Sequence, residues 1–153
     1  MQVRIVQQAF DPQAEIAAFA KGRDDAGALV SFVGTCRAAT DGVDVCELRI
    51  DHYPGFSEKE IARLADEVSA RFDCPGMLVV HRVGAILPGE AIVLVAALST
   101  HRANAFDAVR VLMDYLKTDA PLWKKETGRG GGRWIEPRAD DHVRRAQAEK
   151  EMA

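Results

Sequence analysis

Apolar and polar positions alternate along the chain in a way that divides it into short strand-like and helix-like segments. "VRIVQQ" reads as a first short strand. In "DPQAEIAAFAKG", Asp11 suits an N-cap, Pro12 the first helical position and Gly22 the end, so a helix follows. "GALVSFVGTC" is a near-continuous apolar run, the pattern of a buried strand, and "RAATDGVD" after it reads as a loop. "VCELRIDHY" then alternates, with Cys46, Leu48 and Ile50 on one face and Glu47, Arg49 and Asp51 on the other, as a half-exposed strand requires.

Ser57 and Glu60 fit an S-x-x-E capping box, and Ile61, Leu64, Ala65, Val68 and Phe72 continue at helical spacing. "MLVVHRVGAI" and "AIVLVAALST" read as two strands, antiparallel because "LPGE" between them suits a tight turn. A third helix starts near Thr100, with Ala105, Ala108, Val109, Leu112 and Leu116 as its apolar face. Pro121 cannot continue a helix interior, so Lys117 is expected at that helix's end and Lys124 in an extended segment beyond it. "GRGGGR" reads as a flexible loop, "RWIEP" as a last short strand, and the polar tail from about residue 139 as a solvated helix or a frayed end. The expected fold class is therefore α+β, one domain over residues 1–153 with a mostly antiparallel sheet covered by two or three helices.

Composition narrows the function. With 153 residues, 48% of them hydrophobic and 28% charged, the chain has material for one ordinary core. No apolar run reaches the roughly 18 residues of a membrane span, and "MQVRIVQQAF" lacks a signal peptide's layout, so a soluble cytoplasmic protein is expected. Cys36, Cys46 and Cys74 are odd in number and show no CxxC spacing, which argues against a disulfide framework or a zinc site. Residues 1–100 carry nine Lys and Arg against fourteen Asp and Glu, whereas residues 101–138 carry eight against five. That local basic excess suits a small anion better than a nucleic acid, which demands a broad cationic face.

Candidate chemistry gathers in the same region. Lysine is mostly solvated. Yet Lys117 and Lys124 can converge from different elements beside apolar surface, and an ammonium group there becomes available as acid, base or imine-forming amine. His101 and Arg102 stand where a strand gives way to a helix, whose free amide donors favour anions; a structural capping role for His101 fits the same position. Arg37 follows a strand end, either as a second anion contact or as a solvated loop residue. Cys36 beside it is either a thiolate activated by a cation or simple packing. His81 fits a sheet histidine with a hydrogen-bond partner, and neither His52 nor His142 forms a metal-binding pattern, so no metal is assigned.

Taken together and in order, "FVGTCR", "HYPGFSEK", "VVHRVGAILPGE", "STHRANAFDA" and "MDYLKTDAPLWKKE" resemble the large catalytic subunit of molybdopterin synthase, the MoaE family, from about Gly27 to Arg138. The resemblance implies an α/β-hammerhead type of fold and a sulfurtransferase without metal or other cofactor. Its substrate would be cyclic pyranopterin monophosphate, converted to the dithiolene of molybdopterin. Its partner would be a small ubiquitin-like sulfur-carrier subunit of the MoaD type, bearing a thiocarboxylate on a C-terminal Gly-Gly. The implied assembly is a heterotetramer built on a homodimer of the large subunit. By position, Lys117 and Lys124 correspond to the family's catalytic lysines, and Arg37, His101, Arg102 and Arg138 to its substrate-anion contacts. Asp51 and Phe56 depart from the family's usual Glu and Met, conservative changes that bear on pocket shape. Two other readings compete: a non-catalytic dimer that senses a pterin or nucleotide phosphate, and a thiol-dependent hydrolase using Cys36.

Overall fold

A computed structural model describes residues 1–153. In chain order the elements are β1 (Gln2–Val6), α1 (Pro12–Ala20), β2 (Ala28–Thr35), β3 (Ala39–Thr40), β4 (Val43–His52), α2 (Phe56–Arg71), β5 (Gly76–Arg82), β6 (Gly84–Ile86), β7 (Ala91–Ser99), α3 (Arg102–Thr118), β8 (Leu122–Gly128), β9 (Gly131–Ile135) and α4 (Ala139–Met152). The strands form two sheets, one ordered β1-β5-β7-β2, the other β3-β4-β8-β9 with β6 also on β4. All ladders are antiparallel except β1 on β5. The expected α+β class holds, with two sheets and four helices in place of one sheet and two or three.

The split arises inside "MLVVHRVGAI". Gly84 has φ +81°, a conformation open to glycine without the Cβ penalty, and there the chain leaves one sheet for the other. Before it, His81 pairs with Val93 of β7; at it, Gly84 pairs with Ile50 of β4. The first sheet is buried on both faces, which explains the unbroken apolar runs of β5 and β7. Met77, Val79 and Val95 pack with Ile61, Leu64 and Val68 of α2 and Leu112 of α3. Leu78, Val80 and Leu94 pack on the other side with Phe19 of α1. Asp11 caps α1, its carboxylate accepting from the Gln13 amide at 2.9 Å.

Local chemistry redirects several sequence expectations. β2 is an edge strand with Phe32 and Val33 exposed, not a buried one, because only β7 flanks it. "RAATDGVD" is a hairpin, since Asp41 and Gly42 both take positive φ, as a two-residue Asp-Gly turn demands. A bulge between Val45 and Glu47 resets the alternation of β4, so Val45 is buried with Leu48 and Ile50 while Cys46 is exposed. The capping box at α2 is shifted: the Glu58 carboxylate accepts from the Gly55 amide at 2.6 Å, whereas Glu60 pairs with Arg63. "GRGGGR" is the tip of the β8–β9 hairpin, with Gly128 paired to Gly131. The tail is helical and docked. Ala148 is fully buried, Arg145 binds Asp119 and stacks 5.2 Å from the Tyr115 ring centre, and Arg110 pairs with Glu151.

Gly128 sits against the β4 bulge so closely that a Cβ there would lie 1.9 Å from the Asp44 carbonyl oxygen, while one at Gly130 meets open space. Gly128→Ala is expected to lower the unfolding free energy by about 1–3 kcal/mol. Gly130→Ala should stay within about 0.5 kcal/mol of the parent, with urea denaturation of the two variants as the measurement.

Candidate active site

Lys117 lies in the last turn of α3, where a cation complements the helix dipole. Asp119 ends the helix, and three residues later the chain enters β8. In that strand Lys124 stands opposite Ile50, which is 1% exposed, so both point to the inner face of the second sheet. Lys125 stands opposite Arg49 and Trp134 on the outer face, its Nζ 5.6 Å from the Trp134 ring centre. Adjacent lysines thus serve opposite sides, as an extended segment dictates.

Burial pushes the Lys124 ammonium down to about 8, the Lys117 charge pushes in the same direction, and Asp141 from α4 partly offsets them. About one Lys124 in ten is therefore neutral at pH 7. The buried His81 lies within electrostatic reach of this group. Its Nδ1 is 2.9 Å from the Arg82 carbonyl oxygen, which only accepts, so the proton sits on Nδ1. Burial first, then the Lys124 charge, lower His81 to about 4, keeping it neutral at physiological pH.

The other expected contacts are distributed unevenly. Arg138 precedes α4, its amide donating to the Asp141 carboxylate at 2.8 Å, and its guanidinium is 3.6 Å from Asp41. Arg37 is exposed just beyond β2, beside the β3–β4 hairpin. His101 is the N-cap of α3 but makes no side-chain capping bond, and Arg102 opens the helix; both are exposed. From Arg102 to Lys117 the helix rises about 22 Å. One chain therefore brings together Lys117, Lys124 and the start of α4, and holds His101 and Arg102 at the far end of α3.

Two surface clefts, of about 450 Å³ beside Phe10, Val33 and Glu90 and about 220 Å³ beside Val45, Glu126 and Gly131, contain none of these six residues. Cys36 is buried, and burial, Glu126 and Glu90 raise its thiol against the smaller opposing pull of Arg37. That environment is the reverse of an activated thiolate. No three His, Cys, Asp or Glu side chains gather to hold a metal ion. Sequence reasoning missed Asp141 as a counter-charge to Lys124, a role that needed α4 to fold back onto α3; its one visible sign was an acid three residues after Arg138.

A two-sheet α+β domain with a lysine pair at a helix-to-strand junction defines the class of protein. Within that class the chain belongs to the MoaE family: the family model described as "MoaE protein" matches residues 5–119. A molybdopterin synthase catalytic subunit from Mesorhizobium japonicum is 51% identical over 141 residues, covering 91% of this chain and 87% of the relative. Among solved structures, a molybdopterin biosynthesis MoaE protein from Burkholderia ambifaria superposes with TM-score 0.78 at 42% identity, covering 95% of this chain and 96% of that one. Molybdopterin synthase from Staphylococcus aureus gives TM-score 0.80 at 29% identity, covering 88% and 97%.

Removing the Lys117 charge while keeping a polar side chain, as in Lys117→Gln, takes away one of the two causes that lower Lys124. The Lys124 titration midpoint, followed by residue-resolved acetylation against pH, is expected to move up from about 8.

Proposed function

We propose that this chain is the catalytic subunit of a molybdopterin synthase and acts as a sulfurtransferase. It would take sulfur from the C-terminal thiocarboxylate of a small ubiquitin-like carrier and install it on cyclic pyranopterin monophosphate. The observation that carries this reading is the paired lysine site, with Lys124 lowered to about 8 beside Lys117, in a chain of the MoaE family. The phosphate and the thiocarboxylate are both anions, so an acidic protein needs local positive charge to bring them together. Charged Lys117 suits the stabilisation of an anionic oxygen or sulfur. Lys124, partly neutral at working pH, suits proton transfer or transient attack on a carbonyl carbon. Each transfer would return the carrier's terminus as a carboxylate, and two are needed for a dithiolene.

A homodimer accounts for the placement of His101 and Arg102. A second copy can supply its own His101 and Arg102 to the Lys117–Lys124 site, which would reunite groups that one helix holds about 22 Å apart. The docked α4 would place Arg138 at the rim. A cytoplasmic location fits the chemistry and the absence of any helix long and apolar enough to cross a membrane.

Purified protein incubated with cyclic pyranopterin monophosphate and thiocarboxylated carrier is expected to yield the dithiolene product by mass spectrometry; no product with a folded, charged carrier would refute the reading. Lys117→Ala and Lys124→Ala should each cut turnover by about a hundredfold or more, and Lys125→Ala far less. Lys117→Ala and Arg102→Ala subunits, each inactive alone, should on mixing regain up to about a quarter of the parental rate, because half the dimers then hold one intact site of two. No recovery after demonstrated subunit exchange would place the whole site within one chain.

A further inference from the structure

Ser57 is fully buried at the second position of α2 and is not a cap. Its Oγ accepts from the Tyr53 amide at 2.9 Å and donates to the Pro121 carbonyl at 2.9 Å. Those two bonds join segments distant in sequence, the exit of β4 and the loop between α3 and β8, with Ser57 and Pro121 64 residues apart. Lys117 and Lys124 lie on either side of that loop. Its first half is held by Arg145, which binds the Asp119 carboxylate at 3.0 Å, and by the Asp119 amide donating to the Tyr115 carbonyl at 2.7 Å. Its second half has less to hold it. Pro121 offers no amide proton, and the Leu122 amide is spent within the loop on the Ala120 carbonyl at 2.8 Å.

The Pro121 carbonyl stands directly before Leu122, the residue with which β8 begins to pair along β4, opposite His52. Side chains alternate along a strand, so the seating of Leu122 decides which of the next residues face inward. In the observed seating Lys124 shares the inner face with Ile50, and Lys125 is turned to Trp134. We propose that Ser57 is a positioning residue for the lysine pair: by bridging Tyr53 and Pro121, its hydroxyl fixes the entry of β8 and thereby keeps Lys124, and not Lys125, turned inward beside Lys117. The Tyr53 and Trp123 rings, edge to face at 4.8 Å, close the same junction from outside. The proposal rests on the functional reading above only for its consequence in turnover; the geometry it concerns is a property of the protein alone.

The test compares Ser57→Ala with Ser57→Thr, which keeps a hydroxyl, and Ser57→Cys, which keeps the volume but bonds weakly. Residue-resolved acetylation against pH follows Lys124 in each folded variant, beside thermal unfolding. Lys124 is the informative group because burial and Lys117 hold it at about 8, while Asp141 acts against them and the neutral His81 adds no charge. In Ser57→Ala the Lys124 midpoint is expected to rise by about half a unit or more toward the ordinary lysine value. Ser57→Thr should restore it. Turnover in Ser57→Ala should fall about tenfold or more through kcat, since misplaced groups lose rate even when substrate binds.

If Ser57→Ala unfolds, Ser57→Cys carries the same comparison at near-native packing. A lowered melting temperature with an unmoved Lys124 midpoint would overturn the proposal, leaving Ser57 a packing residue. A Ser57→Thr protein that is folded yet behaves like Ser57→Ala would overturn it too. A moved midpoint in a protein that makes no dithiolene under any condition would uphold the positioning role and count against the synthase reading instead.

Discussion

The turn at Gly84 is the constraint on which the rest of the arrangement depends. A strand that continued straight would have extended the first sheet and left β4, β8 and β9 as a separate flap. Because the backbone there takes φ +81°, the strand crosses to β4, and the row Gly84, Ile50, Lys124, Ile135 forms across the second sheet. That row turns Lys124 toward the protein interior. A fully solvated lysine at the same sequence position would keep its usual proton affinity; the crossing supplies the desolvation that changes it.

Polarity in the site is arranged so that positive charge accumulates without being cancelled. Elsewhere arginines are largely paired, as with Arg82 and Glu90 at 2.7 Å or Arg63 and Glu67 at 2.6 Å. Lys117 and Lys124 face each other's charge instead, relieved only in part by Asp141. Holding two like charges together costs stability, and the docked α4 offsets some of that cost through its ties to Asp119, Tyr115 and Arg110 on or near α3. The C-terminal helix therefore belongs electrically to the site.

Much of this was legible in the chain before folding. Helices α2 and α3 declared themselves by periodicity, since each buries one stripe, α1 by its Asp11 cap and Pro12, and the break at Pro121 correctly separated Lys117 from Lys124. The misreadings share a cause: they depend on which neighbour a segment acquires. β2 has the composition of a central strand but gains a partner on one side only. Cys46 lost its inward place to a bulge that no alternation rule anticipates. Ser57 satisfied a capping pattern, yet the partner that gives it meaning, the Pro121 carbonyl, arrives from distant sequence. The Asp41-Gly42 hairpin is the exception, because its turn chemistry was present in the two residues themselves.

The lowered affinity of Lys124 for its proton also bears on how small molecules could be aimed at this protein. At pH 7 a lysine with the ordinary value near 10.5 is neutral about once in 3,000 molecules, against about once in ten here. An aldehyde ligand condenses with neutral amines, so the larger neutral fraction of Lys124 would favour this side chain before any shape complementarity is added. Joined to an anionic group that Lys117 can hold, such a compound would draw its selectivity from desolvation inside the fold, a property that the surface lysines do not share.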